Sequence, residues 1–368
     1  MNELEKARLD IDETDREMAT LFIRRMQAAE TVAEYKKNNG LPVEDKAREA
    51  ELTARRVRLI PEKYRPYYLG FLEKLIEESK NYQNLLIGGM TVAYSGVEGA
   101  FAHIAAKKIF PSAKAVPCPD FDTAYLSVEQ GKCNCAVLPI ENSFAGDVGQ
   151  VMDIAYRGNL SVSGIYDMPL SQSLLAKPGT EIEDISAVVS HPQALSQCMP
   201  YLKKHGWELI HAINTAAAAK TVAEGDRKDI AVAAAKEAAE IYGLKILEEE
   251  INESKSNTTR FAVFTAESCR IKPGDRHFAI MFSSKNQPGA LSRAISLIGK
   301  YGYNLKCLKS HPTGQENWEY YFYAEGEGNL GTEAGQKMLS ELEKVCNSVR
   351  ILGSFPEEIF LGTVKNRS

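Results

Sequence analysis

Residues 91–96 read "TVAYSG" and mark the point where the chain changes character. Upstream, residues 1–87 lack strand-like alternation, and apolar residues recur at helical spacing: Leu4, Ile11, Met18, Phe22, Ala29 and Val32. Downstream, short apolar runs alternate with helical stretches, as in "NCAVLPIEN" (134–142), "ISAVVSHP" (185–192), "IAVAAAKEAAEIYG" (230–243) and "RFAVF" (260–264). The first regime predicts an all-helical unit over 1–87. Its first helix runs to about Asn38 and stops at "NNG", a second begins near "VEDKAREAEL" (43–52), and a third covers Tyr64 to Leu86. The second regime predicts an α/β domain over 90–267, two-lobed, with largely parallel or mixed sheets and with sites where strands run into helix N-termini. After "ESCRIKPGD" (267–275) a third unit over 275–368 reads as strand 276–284, helix 290–301, strands 304–310 and 318–325, helix 332–346 and strand 348–354. That order, βαββαβ, is an α+β, ferredoxin-like split, and the whole chain is multidomain.

A chain of 368 residues suits two or three domains, and 44% hydrophobic with 25% charged residues is the composition of a soluble globular protein. A net charge of -5 supplies no basic field to draw nucleic acid or anionic lipid, so small-molecule chemistry is expected. The N-terminus has no apolar leader core, and no run approaches the roughly 20 apolar residues that span a bilayer, so a cytoplasmic location is expected, with no membrane partner. The 7 cysteines are scattered and read as reduced thiols, with no metal-ligand spacing. Asn257-Thr258-Thr259 fits a glycosylation acceptor pattern and reads, in this setting, as unmodified.

Cations on the first helix carry geometric information. At 100° per residue Arg25 and Lys36 fall about 20° apart, whereas Arg8 lies about 100° from Arg25 and about 26 Å away along the axis. One small anion can touch all three only if Arg8 comes from a second copy, which predicts a dimer through the long helix. Asp45, Arg48 and Glu49 form one polar patch by spacing, and Ser79 with Gln83 another. In order and spacing, Arg8, Asp15, Arg25, Lys36, Asp45, Arg48, Glu49, Ser79 and Gln83 resemble the pattern of the all-helical chorismate mutases. The resemblance implies a Claisen rearrangement that needs no cofactor, only a dianion held compact and charge stabilised on the breaking ether oxygen. It assigns carboxylate clamping to Arg25, Arg48 and the other subunit's Arg8, donation to the ether oxygen to Lys36 and Gln83, and the ring-hydroxyl end to Asp45 and Glu49. Ser79 completes the binding set.

Four polar clusters sit at ends of predicted strands: "YSGVEGAFAH" (94–103), "PIENSFAG" (139–146), "SHPQALSQ" (190–197) and "NTTRF" (257–261). Together and in this order they resemble the signatures of prephenate dehydratase domains. The resemblance makes Thr259 the catalytic residue and Asn142, Ser190 and Gln197 binding positions; Glu141, Ser143, Thr215 and Arg260 join them as candidates. Prephenate loses carbon dioxide and hydroxide together as its ring aromatises, so a hydroxyl donor at the leaving oxygen is the minimum equipment. Thr259 is expected to act as that positioned donor and Arg260 as an orienting or anion-pairing partner. Ser190 and Gln197 lie seven residues apart, about 20° out of phase, so a helix would present both on one side. Helix N-termini after Ser190 and Thr215 would offer N–H groups to anions.

In the third unit "NQPGALSRAISLIGKYGYNL" (286–305) resembles the G-A-L motif of ACT domains. It implies an L-phenylalanine effector at Asn286, Pro288, Gly289, Ala290, Leu291 and Ser310. The family's second effector motif, E-S-R-P, reads "KSHP" here (309–312), with Lys309 in place of the acid and His311 in place of the arginine. Nearly the whole chain is similar to bacterial bifunctional chorismate mutase/prephenate dehydratases. Chorismate and prephenate as substrates, phenylalanine as regulator and a homodimer, extended to a higher oligomer through ACT domains, are what that similarity implies. A non-catalytic amino-acid-binding regulator would be expected to have lost the cationic clamp and Thr259, and both are intact.

Overall fold

The computed structural model describes residues 2–43, 46–254, 256–314 and 319–362. The chain divides into two compact units, 1–91 and 92–368.

In the first unit α1 (Glu3–Asn38) runs unbroken for 36 residues. Asn2 and Glu5 form a reciprocal capping box at its start, Glu3 and Glu5 face the positive end of its dipole, and Lys36 and Lys37 the negative end. The helices α2 (Lys46–Val57) and α3 (Arg65–Gly88) follow, the latter opened by Pro66 in its first turn and closed by Gly89. Both α1 and α2 pack on α3. Of the apolar stripe of α1, Ala29 is buried, as is Ala33 beside it; Leu4, Ile11, Met18 and Phe22 are 44–59% exposed. The periodicity that predicted this helix therefore serves a surface that one chain leaves uncovered.

The second unit begins with β1 (Thr91–Ser95), α4 (Phe101–Ile109), β2 (Lys114–Cys118), α5 (Phe121–Glu129), β3 (Cys135–Asn142), β4 (Gly146–Asp147), α6 (Gly149–Arg157) and β5 (Ser161–Pro169). The chain then crosses into a second lobe: β6 (Ser173–Ala176), β7 (Ala187–Ser190), α7 (Pro192–Gln197), α8 (Met199–His205), β8 (Glu208–His211), α9 (Thr215–Glu224), β9 (Ile230–Ala234), α10 (Glu237–Tyr242) and β10 (Lys245–Glu248). It returns through β11 (Thr258–Thr265) and ends in β12 (His277–Ser283), α11 (Ala290–Lys300), β13 (Asn304–Pro312), β14 (Tyr320–Glu327), α12 (Glu333–Val345), β15 (Ser348–Phe355) and β16 (Ile359–Phe360). The βαββαβ order expected for this last stretch is present. Its strand expected from 318 starts at Tyr320, position 318 lying outside the described residues, and continues to Glu327; β16 is an addition.

Two mixed sheets result. The smaller has the order β10-β6-β9-β7-β8. The larger has 11 strands, with the path β13-β14-β12-β15-β5-β11-β3-β1-β2, β4 paired to β3 and β16 to β5. Strands of the C-terminal stretch thus continue the sheet of the first lobe. One face of those strands packs on α11 and α12 through Phe278, Ile280, Ala294, Ile298 and Leu342, and the other sends Ala279, Met281, Tyr321, Tyr323 and Leu352 into the first lobe's core. This shared core makes 92–368 one unit.

Two local features shape the strand ends of the first lobe. Pro139 lies inside β3 between two neighbours and lacks an N–H, and the ladder between β3 and β11 shifts register opposite it, between Arg260 and Phe261. The turn after β1 needs glycine: Gly96 and Gly99 have φ of +102 and +82, and a Cβ on Gly99 would stand 3.1 Å from the Tyr242 ring.

Candidate functional site

In the helical unit, the Arg25 guanidinium donates to the Leu75 carbonyl at 3.2 Å and makes a short contact with the Ser79 hydroxyl. Burial, and then the neighbouring Arg56, pull the Arg25 pKa below its ordinary value, so this end of the helix pair holds concentrated positive charge. Ser79 is buried, and one turn on, Gln83 donates from Nε2 to the Ser79 carbonyl at 3.1 Å. Gln83 Oε1 is buried with no hydrogen-bond partner among the described residues. Lys36 donates to the Val43 carbonyl at 2.7 Å, in the turn that leads to α2. Arg48 is exposed on α2, Glu49 follows it there, and Asp45 lies outside the described residues. Because α1 does not bend back, Arg8 stays about 26 Å along the axis from Arg25, and one copy does not bring them together.

In the second unit the end of β3 meets the start of β11, pairing Asn142 with Thr259. Asn142 Oδ1 accepts from the main-chain N–H groups of Phe144 and Ala145, both at 3.0 Å, which fixes its amide plane and turns Nδ2 toward β11. That nitrogen donates to Thr259 Oγ1 at 2.8 Å and to Asn257 Oδ1 at 2.9 Å. Asn257 Nδ2 donates in turn to Gln197 Oε1 at 3.2 Å, at the end of α7 in the second lobe. Thr259 is buried, and its oxygen already accepts from Asn142, so the hydroxyl hydrogen is left to donate. Ser143 braces this end: its hydroxyl accepts from the Thr258 N–H at 3.0 Å and donates to the Ser256 carbonyl at 3.2 Å.

Other expected residues stand elsewhere. Ser190 is the last residue of β7, fully buried, and donates to the Ala233 carbonyl at 2.5 Å. Pro192 keeps His191 extended, at ψ 139, so the helix starts only after it and never presents Ser190 beside Gln197. The one-sided helical presentation expected for that pair is therefore corrected. Thr215 is the first residue of α9, not its cap; Asn214 caps it, accepting from the Ala217 N–H at 2.7 Å. His191 is a capping residue as well.

Arg260 and Glu141 point away from Thr259, as alternation along paired strands requires. The Arg260 guanidinium lies 2.8 Å from Glu325, 2.9 Å from Glu358, 3.2 Å from Asp167 and 3.6 Å from Glu141. Burial alone would depress its pKa, and Glu325 with Glu358 more than reverse this, holding it above the usual guanidinium value. Two lysines complete the cluster: Lys306 on Glu358 at 2.7 Å and Lys309 on Glu141 at 2.8 Å. His311 lies 3.1 Å from Asp147 and stacks on Tyr321. Sequence reasoning did not find the roles of Asn257, Glu325, Glu358, Lys309 and His311, whose partners lie up to 168 positions away or sit in segments with no motif of their own.

A concavity opens at the start of α11, lined by Asn286, Gln287, Ala290, Leu291, Tyr320 and Phe322 among others. Pro288 and Gly289, the latter at φ +78, form the turn beneath it. Ser310 pairs with Phe322 across the β13–β14 ladder and is not part of that lining.

Residues 7–84 match the pattern of the family described as chorismate mutase type II, and residues 92–269 that of prephenate dehydratase. The chain is 31% identical over 364 residues to the bifunctional chorismate mutase/prephenate dehydratase of Aquifex aeolicus, covering 98% of this chain and 99% of that protein. It is 38% identical over 277 residues to arogenate dehydratase/prephenate dehydratase 2 of Arabidopsis thaliana, covering 72% of each. Among solved structures, a prephenate dehydratase from Arthrobacter aurescens in complex with L-Phe is similar with a TM-score of 0.67 at 27% identity, over 73% of this chain and 90% of that one.

The Arg260 cluster makes a stability prediction. Arg260→Met leaves Glu325 buried without its cation and should destabilise the second unit by about 3–5 kcal/mol. Adding Glu325→Leu should recover most of that loss, and denaturant unfolding of both variants measures it.

Proposed function

The chain belongs to the family of bifunctional chorismate mutase/prephenate dehydratases of phenylalanine biosynthesis, and we propose that its two reactions run on two separate sites, one in the helical segment 1–87 and one around Thr259 in segment 90–267. It is an isomerase that converts chorismate to prephenate and a lyase that converts prephenate to phenylpyruvate.

For the mutase we assign Arg25, Lys36, Asp45, Arg48, Glu49, Ser79 and Gln83 of one copy and Arg8 of a second. The continuity of α1 and its uncovered stripe of Leu4, Ile11, Met18 and Phe22 support a homodimer whose long helices pair. The rearrangement moves electrons around a ring of six atoms within one molecule, so the protein contributes orientation and charge. Arginines hold the two carboxylates, and Lys36 with the unused N–H of Gln83 donates to the ether oxygen as its bond to carbon breaks. Gln83 is neutral, so its donation persists at high pH.

For the dehydratase, the 2.8 Å contact from Asn142 Nδ2 to Thr259 Oγ1 carries the assignment. A hydroxyl that accepts a hydrogen bond becomes a better donor. Thr259 donates to the ring hydroxyl of prephenate as the C–O bond breaks and hydroxide takes the bonding pair. The electrons of the C–CO2 bond move into the ring, carbon dioxide leaves, and the ring becomes aromatic. Asn142, Ser143, Gln197 and Thr215 frame the substrate, Ser190 braces β7 from within the second lobe, and Arg260 and Glu141 act at one remove by anchoring the strands that carry Thr259 and Asn142. The identity to an arogenate dehydratase/prephenate dehydratase makes L-arogenate a second substrate to assay.

Segment 275–368 is assigned as an ACT regulatory domain that binds L-phenylalanine in the concavity at Asn286–Leu291. An aromatic side chain suits Leu291, Tyr320 and Phe322, and its carboxylate suits the Gly289 N–H at the start of α11.

Thr259→Ala should lower turnover of supplied prephenate about 10²-fold or more while prephenate formation from chorismate is unchanged; equal turnover would overturn the assignment. Arg8→Ala and Arg25→Ala chains, each inactive as mutases, should regain activity when mixed, because one of the two shared sites in the hetero-dimer is whole. Leu291→Asp should raise the half-inhibitory phenylalanine concentration about tenfold or more, by setting a charge against an apolar ligand.

A further inference from the structure

Asn257 lies two residues ahead of Thr259, just before β11, and is 3% exposed. Its carbonyl accepts from the Leu170 N–H at 2.8 Å, which fixes the backbone where the chain re-enters the larger sheet. Its side chain is used at both ends: Oδ1 accepts from Asn142 Nδ2 at 2.9 Å, and Nδ2 donates to Gln197 Oε1 at 3.2 Å. Asn142 ends β3 of the larger sheet, and Gln197 ends α7 beside the smaller one. Gln197 is itself tethered, its carbonyl accepting from the Glu253 N–H at 2.9 Å. An amide offers an acceptor and a donor in one rigid plane, which is what these two neighbours require; a carboxylate would offer acceptors alone.

We propose that Asn257 is a positioning residue of the dehydratase: it holds the Asn142 amide against Thr259 Oγ1 and ties that pair to Gln197 of the second lobe, so that the Thr259 hydroxyl is aimed at the leaving oxygen. This rests on the reading of Thr259 as the hydroxyl donor. Asn257 touches no reacting atom. It sets the direction of a group that does, and misplacement of such a group by about 1 Å costs about 10²-fold in rate. Its recorded side-chain partners, Asn142 and Gln197, are neutral, so in the native chain this link does not titrate.

The test is steady-state kinetics of the full chain with supplied prephenate. Asn257→Ala should lower kcat between about 10-fold and 10²-fold with KM within about threefold of the native value. Because it acts through Thr259, the double variant Asn257→Ala/Thr259→Ala should be no slower than Thr259→Ala alone. Asn257→Asp keeps the shape and becomes isosteric with the native amide when protonated, so its kcat relative to the native enzyme should climb as pH falls through the carboxyl's range. Losses that multiply in the double variant, an unchanged kcat in Asn257→Ala, or a flat ratio for Asn257→Asp would overturn the proposal. Should Asn257→Ala fail to fold, the Asp variant's pH profile decides. Full turnover in Thr259→Ala would instead overturn the assignment of Thr259 itself, whereas a slow Thr259→Ala beside a native-like Asn257→Ala removes only the positioning role.

Discussion

A single buried guanidinium organises the second unit. Arg260 is the residue after Thr259, and its four carboxylates come from β3, β5, β14 and the turn ahead of β16. Removing such a cation from water is costly, and only close, multiple pairing offsets the loss. The acids are equally dependent on it. Glu325 is almost fully buried, and burial holds Asp167 above the usual carboxylate range although the guanidinium is beside it. Strands far apart in sequence are thereby held to one point, and that point lies one residue from the Thr259 hydroxyl. Since successive side chains on a strand face opposite sides, the charge that fixes β11 is kept off the face that carries Thr259.

The two departures in "KSHP" make sense against this cluster. Lys309 and His311 both face inward from β13, and each meets an acid of the β3–β4 hairpin: Glu141 for Lys309 and Asp147 for His311. An acid at 309 would bring a like charge against Glu141 among carboxylates that already outnumber the cations. Ser310, between them, faces the other way, in register with Phe322 of the concavity at the start of α11. The motif thus divides by alternation into an inward pair, set by its contacts with the first lobe, and an outward position on the opposite face.

Much of the architecture was legible because local chemistry dictated it. The capping box of α1, the proline start and glycine stop of α3, the two-residue alternation of the strands and the βαββαβ order all act within a few positions of where they are read. The site was legible as residue types and not as neighbours. A period of two says that Thr259 and Arg260 face opposite sides, but not that Glu325 and Glu358 wait on one of them. The shared helix face expected for Ser190 and Gln197 does not form, because a seven-residue spacing suggests a helix while Pro192 delays its start until after His191. Asn257 first suggested a surface modification acceptor; its amide is instead buried between Asn142 and Gln197, and only the return of β11 to the larger sheet reveals this.

The two candidate sites solve the problem of an anionic substrate in opposite ways, and their settings explain why. In the helical unit Arg25 and Lys36 are half-buried and Arg8 is exposed, so water still limits the cost of charge there. Around Thr259 the surroundings are buried, and every recorded side-chain partner of Asn142, Thr259, Asn257 and Gln197 is neutral. A cation brought to that face would have to be desolvated as Arg260 is, and would need carboxylates of its own, which would repel the substrate. Neutral amides and hydroxyls avoid this: as a class they can donate to a leaving oxygen, need no counter-charge, and keep their direction as long as their planes are locked. The Asn142 turn and Asn257 lock those planes, so around Thr259 the precision of hydrogen-bond geometry takes the place that charge holds around Arg25.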